Sequence, residues 1–195
     1  LNAANSASDL EDISIKTIKN FFDQQRFGID NKNIPIGRAL VKRQFREACT
    51  LLSLPFSGND FIGALRSSGT KKLLFYLHAY QSFLFNLFLE SYRGTSQRVP
   101  LVGYLTEFSS VAIERVYQRI LRQEGVRLRD FLFRELPEIS SEGSLRHVFV
   151  PVYDFRYTYA ADDRYPGRFT CTIEFSLPSG SYATLVVRAI FGKDL

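Results

Sequence analysis

Soft metal ligands are scarce in this chain of 195 residues: two cysteines, Cys49 and Cys171, and two histidines, His78 and His147, none of them at paired ligand spacing. That scarcity argues against a zinc site, a histidine-rich metal site and a disulfide framework, and makes a reducing, cytoplasmic compartment the expectation. No Walker loop, dinucleotide fingerprint or Gly-x-Ser-x-Gly elbow occurs, so the local signals of nucleotide hydrolysis, nicotinamide chemistry and the serine hydrolases are missing. There is no signal-peptide pattern, no internal repeat and no low-complexity tract. Methionine is absent altogether and the chain starts at Leu1, so the expectation is a segment of a longer polypeptide. A long uninterrupted apolar run is lacking too: LLFYLHAYQSFLFNLFL is broken by His78, Gln81, Ser82 and Asn86. Four such groups argue for a buried core helix rather than a membrane span.

What is present is an ordinary globular composition, 45% hydrophobic and 23% charged, with 25 Lys+Arg against 20 Asp+Glu. The excess gives +5 at pH 7, which mildly favours polyanionic partners. Residues 1–12 are small and polar and read as a loop. From Ile36 the pattern turns helical, with Ile36, Leu40, Ala48, Leu51 and Leu52 near one face and Pro55 ending the helix. SGNDFIGALRSSGT reads as a linker with a short turn of structure. Residues 71–92 give the strongest helix, with a core stripe of Leu73, Leu77, Tyr80, Leu84, Leu87 and Phe88. Its narrow polar face carries His78, Ser82, Asn86 and Glu90 four apart, which reads as core groups with satisfied hydrogen bonds. VPLVGYLTEF reads as a strand and turn, and a helix capped by Ser109 or Ser110 runs to Glu124, closed by Gly125. RLRDFLFRELPE predicts a short helix ending at Pro137.

After Arg146 the period becomes two. Phe149, Tyr153, Phe155, Tyr157 and Tyr159 face one way and Val148, Val150 and Val152 the other, with Pro151 marking an edge or a bulge. A second strand bears Cys171, Ile173, Phe175 and Leu177 on its apolar face, followed by a Pro-Ser-Gly-Ser turn and a helix from near Ser181. The fold class expected is α+β, helices in the middle and strands gathered late.

One stretch carries most of the candidate chemistry. NFFDQQRFG, residues 20–28, holds three phenylalanines, an arginine and a closing glycine, and follows neither strand nor helix spacing. It reads either as a turn that buries its rings or as a surface that stacks on bases and grips phosphate. Arg26, Lys32, Arg38, Lys42, Arg43 and Arg46 follow closely. Rings beside cations suit unstacked RNA bases, where stacking contributes about 1–3 kcal/mol per base. The plainer reading is core aromatics beside a solvated basic helix. None of the aspartates sits in a motif that reads as catalytic by itself.

Three stretches, in order, resemble the TruD family of tRNA pseudouridine synthases. NFFDQQRFG with the following NIPIGRAL resembles the family's Asn-x-Phe-x-x-Gln-Arg-Phe-Gly segment and trailing glycine. YLHAYQSFLFNLFL is similar to its Ala-Tyr-Gln-Ser-x-Leu-Phe-Asn helix, and FSLPSGSYATLVVRAI to its Leu-Pro-x-Gly-Ser-Tyr-Ala-Thr-x-x-x-Arg signature. The resemblance implies cofactor-free isomerisation of uridine to pseudouridine in RNA, with tRNA as the expected partner and no membrane or metal involved. An active-site aspartate attacks the nucleoside, and the uracil detaches, turns and rejoins the ribose through carbon. The target base must leave its stack, so an aromatic ring and a basic cleft suit the task. Carried over residue by residue, Asn20 helps hold the catalytic aspartate, Phe22 packs against the base and Tyr182 lines its pocket. Arg26 contacts phosphate or ties down the loop, and Phe27 with Gly28 shapes the turn.

The implied fold is part of a pseudouridine-synthase mixed sheet with flanking helices, interrupted by a TruD-type inserted α+β domain. On this chain the synthase parts are expected at 1–52 and 165–195, with the insert at 53–164. The departure from the family is its Gly-x-Lys-Asp segment, which bears the nucleophile and precedes the Asn-x-Phe motif by several dozen residues. Nothing in the nineteen residues before Asn20 resembles it, and GKDL at Gly192 to Leu195 has the wrong place and spacing. The leading expectation is therefore a synthase portion that is inactive by itself, with exposed strand edges and poor solubility. The competing readings are a non-catalytic RNA-binding module on the same scaffold and a relic whose motifs only pack the core.

Overall fold

A computed structural model describes residues 14–192; the readings placed on residues 1–12 and on Lys193 and Asp194 fall outside them. In chain order the elements are β1 (Thr17–Lys19), α1 (Gln24–Phe27), α2 (Asn33–Val41), α3 (Phe45–Leu51), α4 (Phe61–Ser67), α5 (Thr70–Ser91), β2 (Arg98–Leu101), α6 (Val111–Glu124), β3 (Ser144–His147), β4 (Phe149–Pro151), β5 (Tyr153–Ala161), β6 (Phe169–Ser176) and α7 (Ala183–Phe191). Short 3-10 turns occur at Ile29–Asn31, Leu128–Phe131 and Pro137–Ile139. The α+β class is as expected. The described strands pair two by two, all antiparallel: β1 with β4, β2 with β3, and β5 with β6.

The chain divides into two compact units, one made of residues 1–21 with 149–195 and the other of residues 22–148. The second is organised around α5. Leu73, Leu77, Tyr80, Leu84, Phe85, Phe88 and Leu89 of this helix are essentially inaccessible. Its wide apolar stripe is matched by α2, α6 and the β2–β3 ribbon. Gly37 marks the closest approach of α2: a Cβ there would lie 2.2 Å from the carbonyl oxygen of Tyr76, so only glycine lets the two helices meet at this distance. Ser110 caps α6 by accepting the Ile113 N–H, and Gly125 ends it in the left-handed conformation, both as the sequence indicated. Tyr117 donates its hydroxyl to the Pro100 carbonyl and stacks on Phe88 at 4.4 Å, joining α6, β2 and α5.

In the first unit β1 and β4 pair through Ile18 and Val150. Ile18, Val150, Val152 and Val186 of α7 form its small core, with Phe155, Phe175, Leu185 and Ile190 packed partly against it. The valine phase expected after Arg146 is present, but that run is three strands rather than one.

Two helical readings are corrected. The single helix expected from Ile36 to Leu52 is broken into α2 and α3 at Arg43, whose φ of 61° is left-handed. No glycine or proline announces the break. Arg43 is held there by its own guanidinium, which donates to the carbonyls of Val41, Asp130 and Leu132 at 2.8, 2.8 and 2.6 Å. Asp130 and Leu132 lie 87 and 89 residues away in sequence, so the cause is tertiary. The stretch read as a linker contains α4, capped by Asp60, whose carboxylate accepts the Gly63 N–H at 2.8 Å. The short helix read in RLRDFLFRELPE is reduced to 3-10 turns on either side of an irregular segment.

Candidate functional site

The segment read as an irregular turn is one turn of helix, α1, followed by Gly28 at φ 76°. That angle suits glycine, and the Asn33 amide packs over it while donating to the Arg26 carbonyl at 3.1 Å. Phe27 is buried beneath the turn and Phe22 is only 8% exposed. Both rings therefore belong to the core of the unit of residues 22–148.

The polar stripe of α5 explains how this turn is held. Asn86 clamps both backbone groups of Phe22: its Oδ1 accepts the Phe22 N–H at 2.9 Å and its Nδ2 donates to the Phe22 carbonyl at 2.8 Å. One turn earlier Ser82 accepts from Arg26 Nε at 3.2 Å while donating to the His78 carbonyl at 2.7 Å. Asn86, Ser82 and His78 are four residues apart, so one helix face presents all three to the turn. His78 is half-buried, and its pKa is lowered first by desolvation and then by the nearby Arg26 cation.

Around Phe22 the geometry is aromatic and cationic. The Phe85 ring meets it edge-on at 5.8 Å, and the Arg146 guanidinium of β3 lies 3.9 Å above its centroid. Arg26 approaches the same ring at 5.6 Å and Phe75 at 5.9 Å. The remaining letters of the α5 motif are equally engaged. Tyr80 donates to Glu124 at 2.9 Å, and Gln81 donates to the Val102 carbonyl at 2.6 Å and to Ser141 at 2.8 Å.

The structure thus brings Phe22, Arg26, Phe27 and Gly28 together in one turn on α5. Asn20 and Tyr182 belong to the other unit, where Asn20 is buried and Tyr182 precedes α7 with its carbonyl accepting the Leu185 N–H. Asn86 and Ser82 were visible in the sequence as a polar stripe but not as the clasp of the turn. Arg146 had no local signal at all.

The basic cluster expected downstream is largely engaged with protein groups. Arg38 forms a forked pair with Glu124 at 2.8 and 3.3 Å. Burial alone would lower its pKa, but the bonds to Glu124 raise it overall. Arg43, besides its carbonyl partners, lies 3.4 Å from Glu135 and 4.1 Å from the Phe133 ring centroid; desolvation lowers its pKa despite Glu135 and Asp130. A cleft of about 440 Å³ opens at the C-terminal ends of α2 and α6, lined by Lys42, Arg43, Gln44, Gly125, Arg127 and Asp130. Two of its cations are engaged, Arg43 with helix-end carbonyls and Arg127 with Asp130 at 3.7 Å. Among the described residues there is no group of His, Cys, Asp or Glu arranged to hold a metal ion, and no helix is long and apolar enough to cross a membrane.

Comparison with known proteins matches residues 93–190, half of the chain, to the profile of the family tRNA pseudouridine synthase D (TruD). A Methanopyrus kandleri protein named "Probable tRNA pseudouridine synthase D" is 35% identical over 70% of this chain and 36% of its own length. A protein of the same name from Methanosarcina barkeri is 40% identical over 49% of the chain and 22% of its own length. The chain therefore spans well under two thirds of these relatives. A crystal structure named for tRNA pseudouridine synthase D (TruD) from Methanosarcina mazei superposes with a TM-score of 0.78, covering 90% of this chain and 61% of that one at 23% identity, a likeness of fold.

Proposed function

The chain belongs to the TruD family of tRNA pseudouridine synthases, and we propose that it supplies part of such a synthase, isomerising uridine to pseudouridine in tRNA without a cofactor in the cytoplasm. The observation that carries the reading is the clasp between two of the family-like stretches. Asn86, the last letter of the α5 motif, binds both backbone groups of Phe22, the ring of the Asn-x-Phe motif, across 64 residues of sequence. A residue pattern held together this way concerns a defined conformation of the turn, beyond the packing of rings.

In the proposed reaction Phe22 faces the target base, Arg26 keeps the turn on α5 beside it, and Phe27 with Gly28 sets the turn's shape. Asn20 orients the nucleophilic aspartate of the family's Gly-x-Lys-Asp segment, and Tyr182 lines the base pocket. The proposed family layout keeps the synthase parts at 1–52 and 165–195 and the insert at 53–164. That is a division by ancestry; the units at 22–148 and the remainder are divisions by packing.

The test is pseudouridine formation on tRNA transcripts, read by mass spectrometry, in a protein carrying both this chain and a Gly-x-Lys-Asp segment of the family. Product is expected there, with a loss of two orders of magnitude or so in Asn20→Ala, and none from the 195 residues by themselves. Absence of product from the combined protein, with its fold intact, would sink the proposal.

A further inference from the structure

In the unit of residues 22–148, a row of cations without acid partners lies on the outer face of α6. Arg115, Arg119 and Arg122 follow the spacing i, i+4, i+7, which places them within about 60° of one another at 100° per residue. Ile113, Tyr117, Ile120 and Leu121 form the buried face opposite. All three arginines are exposed, and among the described residues none of them takes part in an ion pair or a side-chain hydrogen bond. The acids of the helix do not offset them. Glu124 points inward to Arg38 and Tyr80, and Glu114 accepts from Gln118 at 2.8 Å.

We propose that this arginine row is an RNA-backbone docking surface, separate from the turn around Phe22; the inference rests on the RNA substrate proposed above. The row is about 10 Å long at 1.5 Å per residue, the reach of about three successive phosphates at roughly 3.4 Å of axis each. Guanidinium suits phosphate better than ammonium, because its planar fork donates two parallel N–H groups to two oxygens. The contrast with the cleft at the end of the same helix is chemical. There Arg43 and Arg127 already answer carbonyls and Asp130, whereas on the row all three arginines face solvent and can release counterions only to an external polyanion. An acidic lipid surface is the other polyanion to separate. The row lacks the flanking aromatic residues that anchor an interfacial helix, which favours RNA.

The experiment measures affinity for an unmodified tRNA transcript by fluorescence anisotropy across a potassium chloride series. R115A/R119A is compared with K71A/K72A, which removes the same charge from the exposed start of α5. The row predicts a loss of about tenfold or more at low salt and a salt slope shallower by about 2 for R115A/R119A. K71A/K72A stays close to the parent, and R115K/R119K recovers most of the slope. Equal weakening by the two alanine pairs would overturn the surface while leaving the RNA reading in place. Loss of binding to phosphatidylserine vesicles in R115A/R119A, with tRNA affinity unchanged, would overturn it in favour of lipid. No salt-dependent tRNA affinity in the parent chain would overturn both this surface and the RNA substrate it rests on.

Discussion

In the unit of residues 22–148 the rings of Tyr80, Phe85, Phe88, Tyr117, Phe131 and Phe133 are all closed off from solvent, whereas in the other unit Tyr153, Tyr159 and Phe169 remain 52%, 40% and 47% exposed. Both units have strongly patterned apolar faces, so pattern is not the difference. On the β5–β6 ribbon, Phe155, Tyr157 and Tyr159 share a face with Ile173 and Cys171 through the register Tyr157↔Ile173 and Tyr159↔Cys171. Arg156, Thr158, Thr172 and Glu174 occupy the opposite face. Only the proximal part of the aromatic face, at Phe155 and Phe175, reaches the core around Val186. A period of two therefore predicts which residues share a face, but the element that covers the face is decided elsewhere. Around α5 the neighbouring elements bury Leu73, Leu77, Tyr80, Leu84, Phe85, Phe88 and Leu89, leaving Phe75 as its one large exposed ring. Along the ribbon, the described residues of its unit cover only one end.

The comparison breaks most sharply at Gly37. A methyl group there meets the Tyr76 backbone, which cannot yield the way a flexible side chain can. Gly37→Ala should destabilise its unit by about 3 kcal/mol, seen as faster hydrogen exchange throughout α2 and α5. Val186→Ala, the corresponding cut in the smaller core, should accelerate exchange in β1, β4 and α7 alone, leaving α5 protection within error. If Val186→Ala loosened α5 as well, the two units would be one cooperative block.

Asn86→Ala comes next, at about 2 kcal/mol, because it removes the partners of two backbone groups in a mostly buried place. The amides from Phe22 to Gly28 should lose protection before those of α5. Asn86→Asp keeps the acceptor for the Phe22 N–H and turns the donor into a carboxylate facing a carbonyl, so it should rescue nothing.

These two positions also show what local reading reaches. α5 and α6 were plain because twenty-two and fourteen residues sustain one period, and α6 has both caps in its sequence. The turn of NFFDQQRFG was recognised by its glycine and its rings, and the stripe of α5 by its spacing. What joins them is a pair of hydrogen bonds from the Asn86 side-chain amide spanning 64 residues, and no window along the chain contains both partners. The α2–α3 break fails for the same reason, since the carbonyls that hold Arg43 belong to Asp130 and Leu132. Arg146 over Phe22 is likewise a meeting of β3 with a distant turn. By contrast α4 was legible and overlooked: Asp60 stands three residues before Gly63 as an N-cap should. The expected cluster from Arg26 to Arg46 named real cations but could not show that Arg38 and Arg43 already have acids for partners.

Acid should sharpen the contrast between the units by acting on them at different pH. The pKa of His78 in the folded chain is below 6.5, from burial and then Arg26. Its neutral form is what the unit of residues 22–148 accommodates. The unfolded chain therefore takes up the proton first as pH falls below 6.5, and stability declines from there through the folded value. Urea midpoints of this unit should fall as pH drops below 6.5, and His78→Gln should flatten that decline. A decline of equal steepness in His78→Gln would assign it to other groups.

The smallest effect belongs to the β5–β6 turn, and it runs at lower pH. Asp162 accepts the N–H of Arg164 at 2.8 Å, the Thr170 hydroxyl at 2.9 Å and the N–H of Tyr165 at 3.0 Å. These bonds hold its pKa below 3.8, the Arg164 amide first, then the Thr170 hydroxyl and the Tyr165 amide. Their stabilisation is present above 3.8 and is lost as pH falls through the folded value. The carboxylate lies at the surface, partly exposed, so water competes for these bonds and the change should stay local. Asp162→Asn should raise exchange at Arg164 and Tyr165 at neutral pH and leave α5 untouched. A ribbon that loosened along its whole length would mean that this turn, rather than the contacts of Phe155 and Phe175, sets its register. In that case the aromatic face would be displayed by a hairpin held from its tip, and the small core around Val186 would follow the turn instead of anchoring it.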